Sequence, residues 1–434
     1  MSVEPSTISK ASERVSFSPV RVGCAIAACV AAWGLAVAGQ TAVPAQPFNG
    51  LLHEHPAIKY SSSSIVPPAI VDANRKLEGG ASYDPKRGYL AATLEALGVP
   101  VTSQLLLFSK TGIQQSLTSP QNPRAFYFND RVIVSHVPGA SFMEVAVHDV
   151  AGGARFYTLS QDPAVKPAFV AATECLRCHV SSNTMEVPGF IARSMYTGRD
   201  GRTHPKLGGY LVDHRRDYTE RWGGWFVTGA PDTLRHLGNT IVSDPDVAPL
   251  ASASDVPSLD GRAPVDRYMS PYSDVTALAV FDHQMHAMNL ITRFGWEARV
   301  AAMNGTPDFQ NGPLGDLLRE TADYLLLIDE APLEGPLAGG SGFAEWFTAQ
   351  GPKDTQGRSL RDFDRRTRLF RYPGSYMLYS PALDGVPAEA RQALYARMKT
   401  VLEGADPAPR YQRLPADDRR AVLEILAATK PGWR

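Results

Sequence analysis

Cysteine is scarce in this chain: there are four in 434 residues, and two of them, Cys24 and Cys29, fall in the first 45. Only Cys175 and Cys178 remain beyond that point, too few for a disulfide framework or a four-cysteine zinc site. Charge of one sign is also lacking. The formal net charge is -1, and losing Lys10, Arg14, Arg21, Glu4 and Glu13 with a leader would leave a small negative balance. That excludes a chain-wide field for nucleic acid or an anionic membrane. No apolar run after the first 45 residues approaches membrane-spanning length. G-x-S-x-G, H-E-x-x-H, a glycine-rich phosphate loop and a dinucleotide fingerprint are all missing, so hydrolase, zinc-protease, kinase and dehydrogenase readings have no support. What is present is ordinary globular material, 44% hydrophobic and 20% charged, with 36 Gly and 34 Pro to supply turns.

The N-terminus has the layout of an export signal. Arg14 and Arg21 precede an apolar stretch over 22–39, and the small residues Ala36, Ala38, Val43 and Ala45 offer a signal peptidase places to cut. Residues 1–45 are therefore expected to be a cleaved leader or, because the run is just long enough to cross a bilayer, an uncleaved N-terminal anchor. Both place the rest of the chain in the periplasm, the second with a tether to the inner membrane. Ala27, Ala28 and Cys29 mimic a lipoprotein box, but too few apolar residues separate them from Arg21.

The strongest signal is Cys175-Leu176-Arg177-Cys178-His179, a C-x-x-C-H sequence. Two thiols one helical turn apart can reach the two vinyl groups on one porphyrin edge, and the next residue can swing its imidazole under the iron. A zinc site would want two further ligands of similar spacing. A thioredoxin-like dithiol does not require the histidine, and a disulfide across so short a loop would constrain little of the unfolded chain.

On these residues the chain resembles the bacterial c-type cytochromes. A narrower resemblance, from about His53 onward, is to a group of long, single-haem exported bacterial proteins. It is carried by 103–110, 123–130, the motif with Val187-Pro188-Gly189, 221–229 and 417–430. The resemblance implies one covalent haem c on Cys175 and Cys178, His179 as axial iron ligand, and electron transfer with an unidentified redox partner. It carries no known substrate. A haem enzyme acting on a peroxide or another small oxidisable molecule is the alternative, and a haem-bearing sensor or scaffold subunit a third.

The pattern predicts an α+β fold, with an antiparallel β-rich region first, the haem-attachment segment next and a helical region last. The expected blocks are 46–165, 166–270 and 271–434. Strands are expected over 105–108, 125–128, 131–136, 144–150, 155–159 and 221–228, with a hairpin tip at Asp200-Gly201. A short helix is expected over 167–179, and longer ones over 275–303, 315–328, 359–370, 387–403 and 415–430.

A haem iron held by His179 has a second axial position. His283 and His286 are candidates because His283 shares a helix face with Ala279, Val280, Ala287, Leu290 and Phe294. Met377 is another, ahead of Pro381 and Gly385 in an arrangement similar to the distal Met loop of small cytochromes c. Met185 is nearest in sequence but short of reach, and His204, His214 and His236 have no distinguishing pattern. Arg193, Arg215 and Arg221 follow the motif closely enough to pair with haem propionates. Arg358, Arg361, Arg365 and Arg368 recur at helical spacing, as a solvated stripe or a docking face for an acidic partner.

Overall fold

Short runs that alternate apolar and polar residues, punctuated by Asn129-Asp130 and Gly152-Gly153, are built to pair as antiparallel strands. The computed structural model describes residues 50–60, 66–150 and 152–433. Ahead of the sheet lie helices α1 (Pro68–Glu78) and α2 (Leu90–Leu97), α1 starting on a proline and α2 ending on Gly98 at φ 63°. Six strands then follow in a meander: β1 (Leu105–Leu107), β2 (Arg124–Phe128), β3 (Val132–His136), β4 (Phe142–Asp149), β5 (Gly153–Ser160) and β6 (Phe169–Ala171). All neighbouring pairs are antiparallel.

The register sorts the sheet into two faces, because side chains alternate along each strand. Ala125, Tyr127, Val132, Val134, Val145, Val147, Tyr157 and Leu159 pack with α1 and α2. Leu105, Phe128, Ile133 and Ala154 point the other way, into a core shared with the C-terminal helices. A short turn of helix, α3 (Leu176–His179), and a small hairpin, β7 (Arg193–Met195) with β8 (Gly209–Leu211), separate the sheet from those helices.

The longest helix, α4 (Val275–Asn304), is buried nearly all round and forms the centre of the second core. Its N-cap is Asp274, whose carboxylate accepts the Thr276 and Ala277 amides at 2.8 and 3.1 Å. The other oxygen of Asp274 accepts the Gly340 and Ser341 amides at 2.9 and 3.0 Å, which ties the start of α4 to a distant loop. Around it stand α5 (Gly312–Leu325), α6 (Phe343–Ala349), α7 (Pro381–Asp384), α8 (Ala388–Leu402), α9 (Pro409–Gln412) and α10 (Ala416–Thr429). The fold is therefore α+β, antiparallel sheet first and helices last.

Residues 47–434 make one compact unit. The expected leader or anchor over 1–45 lies outside the described residues. Among the described residues, no helix is long and apolar enough to cross a membrane.

Three expected elements differ. The helix over 167–179 is reduced to α3 and one preceding 3-10 turn, Thr173–Cys175, because Phe169–Ala171 pairs with β5 as an edge strand instead. The strand over 221–228 is absent: Trp222 and Gly224, at φ 67° and 83°, bend the chain, which meets β1 only at the Leu107–Trp225 bridge. The helix over 359–370 is an irregular loop with Arg365 at φ 56°. Its arginines form no stripe, since Arg358 pairs with Asp354 and Glu424, Arg361 with Asp130, and Arg368 with Asp418. Asp200-Gly201 does sit at a hairpin tip, beyond the Thr197–Thr203 bridge.

Candidate functional site

The motif leaves the sheet at its edge. Ala172 donates its amide to the Phe156 carbonyl at 2.9 Å and accepts from the Cys175 amide at 3.3 Å, so the turn carrying the first cysteine is anchored directly on β5. Both thiols are unbonded to one another; Cys175 is half-buried and Cys178 exposed. Burial, with Glu174 alongside, pushes the Cys175 thiol up to about 11, against the pull of Arg124. It is therefore a protonated thiol near neutral pH, unlike an activated redox cysteine.

His179 is held by a ring contact and by backbone hydrogen bonds on both sides of the turn. Its ring packs on Phe156, centroid to centroid 4.6 Å. Its Nδ1–H donates to the Gly189 carbonyl at 2.8 Å, and the Gly189 amide donates back to the His179 carbonyl at 3.0 Å. The Gly189 bond fixes the tautomer and leaves Nε2 with a lone pair and no polar partner among the described residues. Burial holds the imidazole below its ordinary range, so it is neutral at pH 7.

The turn that carries Gly189 is itself held from three sides. Pro188 accepts the Ala154 amide at 2.8 Å, joining the turn to β5. Asn289 of α4 brackets the next residue, accepting the Phe190 amide at 2.8 Å and donating to the Phe190 carbonyl at 2.7 Å. Arg293, one turn further along α4, donates to the Met185 carbonyl at 2.8 Å and pairs with Glu297. The fit leaves no room for a side chain at position 189, where a Cβ would stand 2.2 Å from the Asn289 Oδ1. Thr184 closes the intervening turn, its hydroxyl donating to the His179 carbonyl at 3.2 Å. Met185 and Glu186 both take φ 59° within it, a conformation that costs non-glycine residues energy and persists only where surroundings enforce it.

Beneath the motif, alternation along β2 and β4 puts Arg124 and Glu144 on the same sheet face as Phe156, where they form an ion pair. Arg124 also donates to Ser135. Beside the motif, Ser182, Met185, Glu186, Arg293, Glu297 and Leu317 contribute to a cavity of about 460 Å³.

The residues expected at the second axial position are gathered elsewhere. His283 has both ring nitrogens engaged: Nδ1 shares a proton with Nδ1 of His214 at 2.8 Å, and Nε2 meets the Ser375 hydroxyl at 2.7 Å. Tyr324 stacks flat on it, 5.1 Å away, and donates its hydroxyl to the His283 carbonyl at 2.9 Å. His286 lies against the other parts of the same group, its ring 4.7 Å from Tyr324. Met377 is fully buried, and its amide donates to the same Ser375 hydroxyl at 3.0 Å. So His283, His286 and Met377 are brought near one another, and among the described residues no hydrogen bond, ion pair or ring contact joins them to His179.

Of the arginines expected at propionates, Arg215 pairs with Asp213 and Glu320. Arg221 is buried against Asp282 at 3.7 Å and donates to the Arg216 and His214 carbonyls.

Sequence reasoning passed over Arg124, Phe156, Asn289 and Tyr60, which shape the surroundings of the motif. Strand alternation carried a signal for the first two; Asn289 and Tyr60 are distant in sequence and carried none. Among the described residues, no three His, Cys, Asp or Glu side chains converge as a metal-holding group. No protein-family model, curated protein or solved structure matches the chain.

Proposed function

We propose that this is an exported, periplasmic c-type cytochrome that carries one haem, bound through Cys175 and Cys178 with His179 as an axial ligand, and transfers electrons to or from a redox partner. The observation that carries the reading is the His179–Gly189 hydrogen bond. A metal-ligating imidazole nearly always donates its other N–H to a carbonyl or carboxylate, which orients the ring and raises the basicity of the ligating nitrogen. Here that bond is made at 2.8 Å, next to two cysteines that are not bonded to one another on one helical turn.

The donor set fits a c-type haem and fits its rivals poorly. Zinc would need two more ligands near the thiols, and a redox dithiol would want a depressed thiol rather than one raised to about 11. When bound, the haem supplies one-electron chemistry, and the protein tunes it through axial ligation, hydrogen bonding and burial. In that role Cys175 and Cys178 fix the group to the chain. Gly189 holds the His179 ring, and Phe156 keeps one of its faces dry.

The test is maturation of the full chain in a host with haem-attachment machinery. The denatured protein should keep one porphyrin's mass and stain for haem in a gel, and a double Cys175→Ala, Cys178→Ala variant should lose both. A mature wild-type protein with no added porphyrin mass would refute the reading.

A further inference from the structure

The segment that precedes α1 carries a histidine with no assigned role. Leu52 and Ile58, like Leu176 inside the motif, pack against a small cluster formed by Tyr60, Val187 and Trp296. Tyr60 anchors this strap: its hydroxyl donates to the Ala154 carbonyl at 2.5 Å, and the Arg155 guanidinium lies over its ring at 4.7 Å. Tyr60 is also close enough to Cys175 for the two to interact electrostatically. His53 sits in the 3-10 turn Leu52–Glu54, edge-on to Tyr60 with ring centroids 6.2 Å apart. It is only 7% exposed, and its Nδ1 is buried with no hydrogen-bond partner.

A buried imidazole nitrogen without a partner is costly and calls for an explanation. Three other histidines share the feature. His136 follows Val132 and Val134 in the alternation of β3, toward the α1 and α2 side of the sheet. His236 packs on Trp222, and His214 on His283 and Tyr324. Of the four, His53 alone belongs to a segment packed on the motif.

Building on the haem reading above, we propose that His53 is the second axial ligand of the haem iron, reaching it from the strap rather than from α4 or the Met377 turn. A bond to iron satisfies a nitrogen that the protein leaves bare. It also explains why the strap is pinned where it is, since Tyr60, Leu52 and Ile58 seat it on the cluster that Leu176 of the motif also packs against.

The experiment uses the full chain matured with covalent haem. Wild-type ferric protein should give the electron paramagnetic resonance and near-infrared magnetic circular dichroism of a low-spin, bis-imidazole haem. His53→Ala should lose that signature for a high-spin one, bind carbon monoxide readily when reduced, and regain the low-spin form with added imidazole. His53→Met, closer in volume, should move the near-infrared band to the position of histidine–methionine ligation. His55→Ala is the control and should change nothing, since the His55 Nδ1 already accepts the Ala57 amide at 3.1 Å. All four proteins should carry one covalent haem. Bis-imidazole signals that survive in both His53 variants, or a wild-type protein that is high-spin or methionine-ligated, would overturn the assignment of His53 while leaving covalent attachment intact. Absence of covalent haem from wild-type protein would sink the underlying reading and this assignment with it.

Discussion

Asn289→Ala should be one of the most damaging single changes outside the motif. Asn289 is 2% exposed and its side chain holds both polar groups of the Phe190 backbone, at 2.8 and 2.7 Å. Truncation leaves a buried N–H and a buried C=O unpaired, each costing about 1–3 kcal/mol. Loss of packing is small for so short a side chain, so the expected destabilisation is about 2–6 kcal/mol. Urea unfolding followed by circular dichroism should show a lower midpoint with an unchanged slope. Asn289→Asp keeps the acceptor for the Phe190 amide but cannot donate to its carbonyl when ionised, and should be no more stable than the alanine variant. The same substitutions free the Gly189 turn that orients His179, so on the haem reading proposed above the spectrum of matured protein should broaden or shift as well. A midpoint for Asn289→Ala within experimental error of wild type would refute the reasoning.

Acid should unfold the protein early. Burial lowers His136, His148 and His236 to about 4 and His283 to about 3, so between these values and about 6.5 the unfolded chain binds more protons than the folded one. The stability they contribute is complete above about pH 6.5 and is lost as pH falls toward 4, up to about 3 kcal/mol for each group. Asp282 and Glu330, raised by burial to about 7, act in the opposite sense but are outnumbered. Urea midpoints that do not fall between pH 7.5 and pH 5 would contradict this. Gly229→Ala should cost about 2–5 kcal/mol, because residue 229 sits at φ +74° and its new Cβ would stand 2.3 Å from the Gly339 carbonyl oxygen; soluble yield and thermal midpoint should both drop. Arg361→Met removes a buried guanidinium held 4.5 Å from both the Phe347 and Tyr376 rings and paired with Asp130. A loss of about 1–3 kcal/mol is expected, as Asp130 is partly open to water, and a thermal midpoint equal to wild type would argue that the pair is idle.

The sheet was legible because alternation survives in one-dimensional form: the strands over 125–136 and 144–159 fall where turn residues bracket them. The long helices were legible for the same reason at a different period, with α4, α8 and α10 within a residue or two of expectation. What misled was local pattern overridden by distant partners. Arg358, Arg361 and Arg368 have helical spacing, yet Arg358 and Arg368 reach acids on α10 and Arg361 reaches Asp130 beside the sheet, so each guanidinium follows its own acid. Phe169–Ala171 reads as helix until a free sheet edge is at hand. At the motif, the thiols and imidazole could be named from five consecutive letters. The carbonyl that orients the ring, and the helix that holds the residue after it, could not, because Gly189 and Asn289 are joined to His179 only through the fold.

The bracket on Phe190 spans 99 residues of chain, and contacts at such separation form late, after the intervening segments have organised. On the proposed reading, a newly exported chain would therefore present its two thiols and imidazole on a turn still lacking its lock, open to any enzyme that has to grip an extended peptide. Docking of the central helix would then end that accessible phase, so the time available for attaching the proposed haem would be set by how fast the C-terminal half folds.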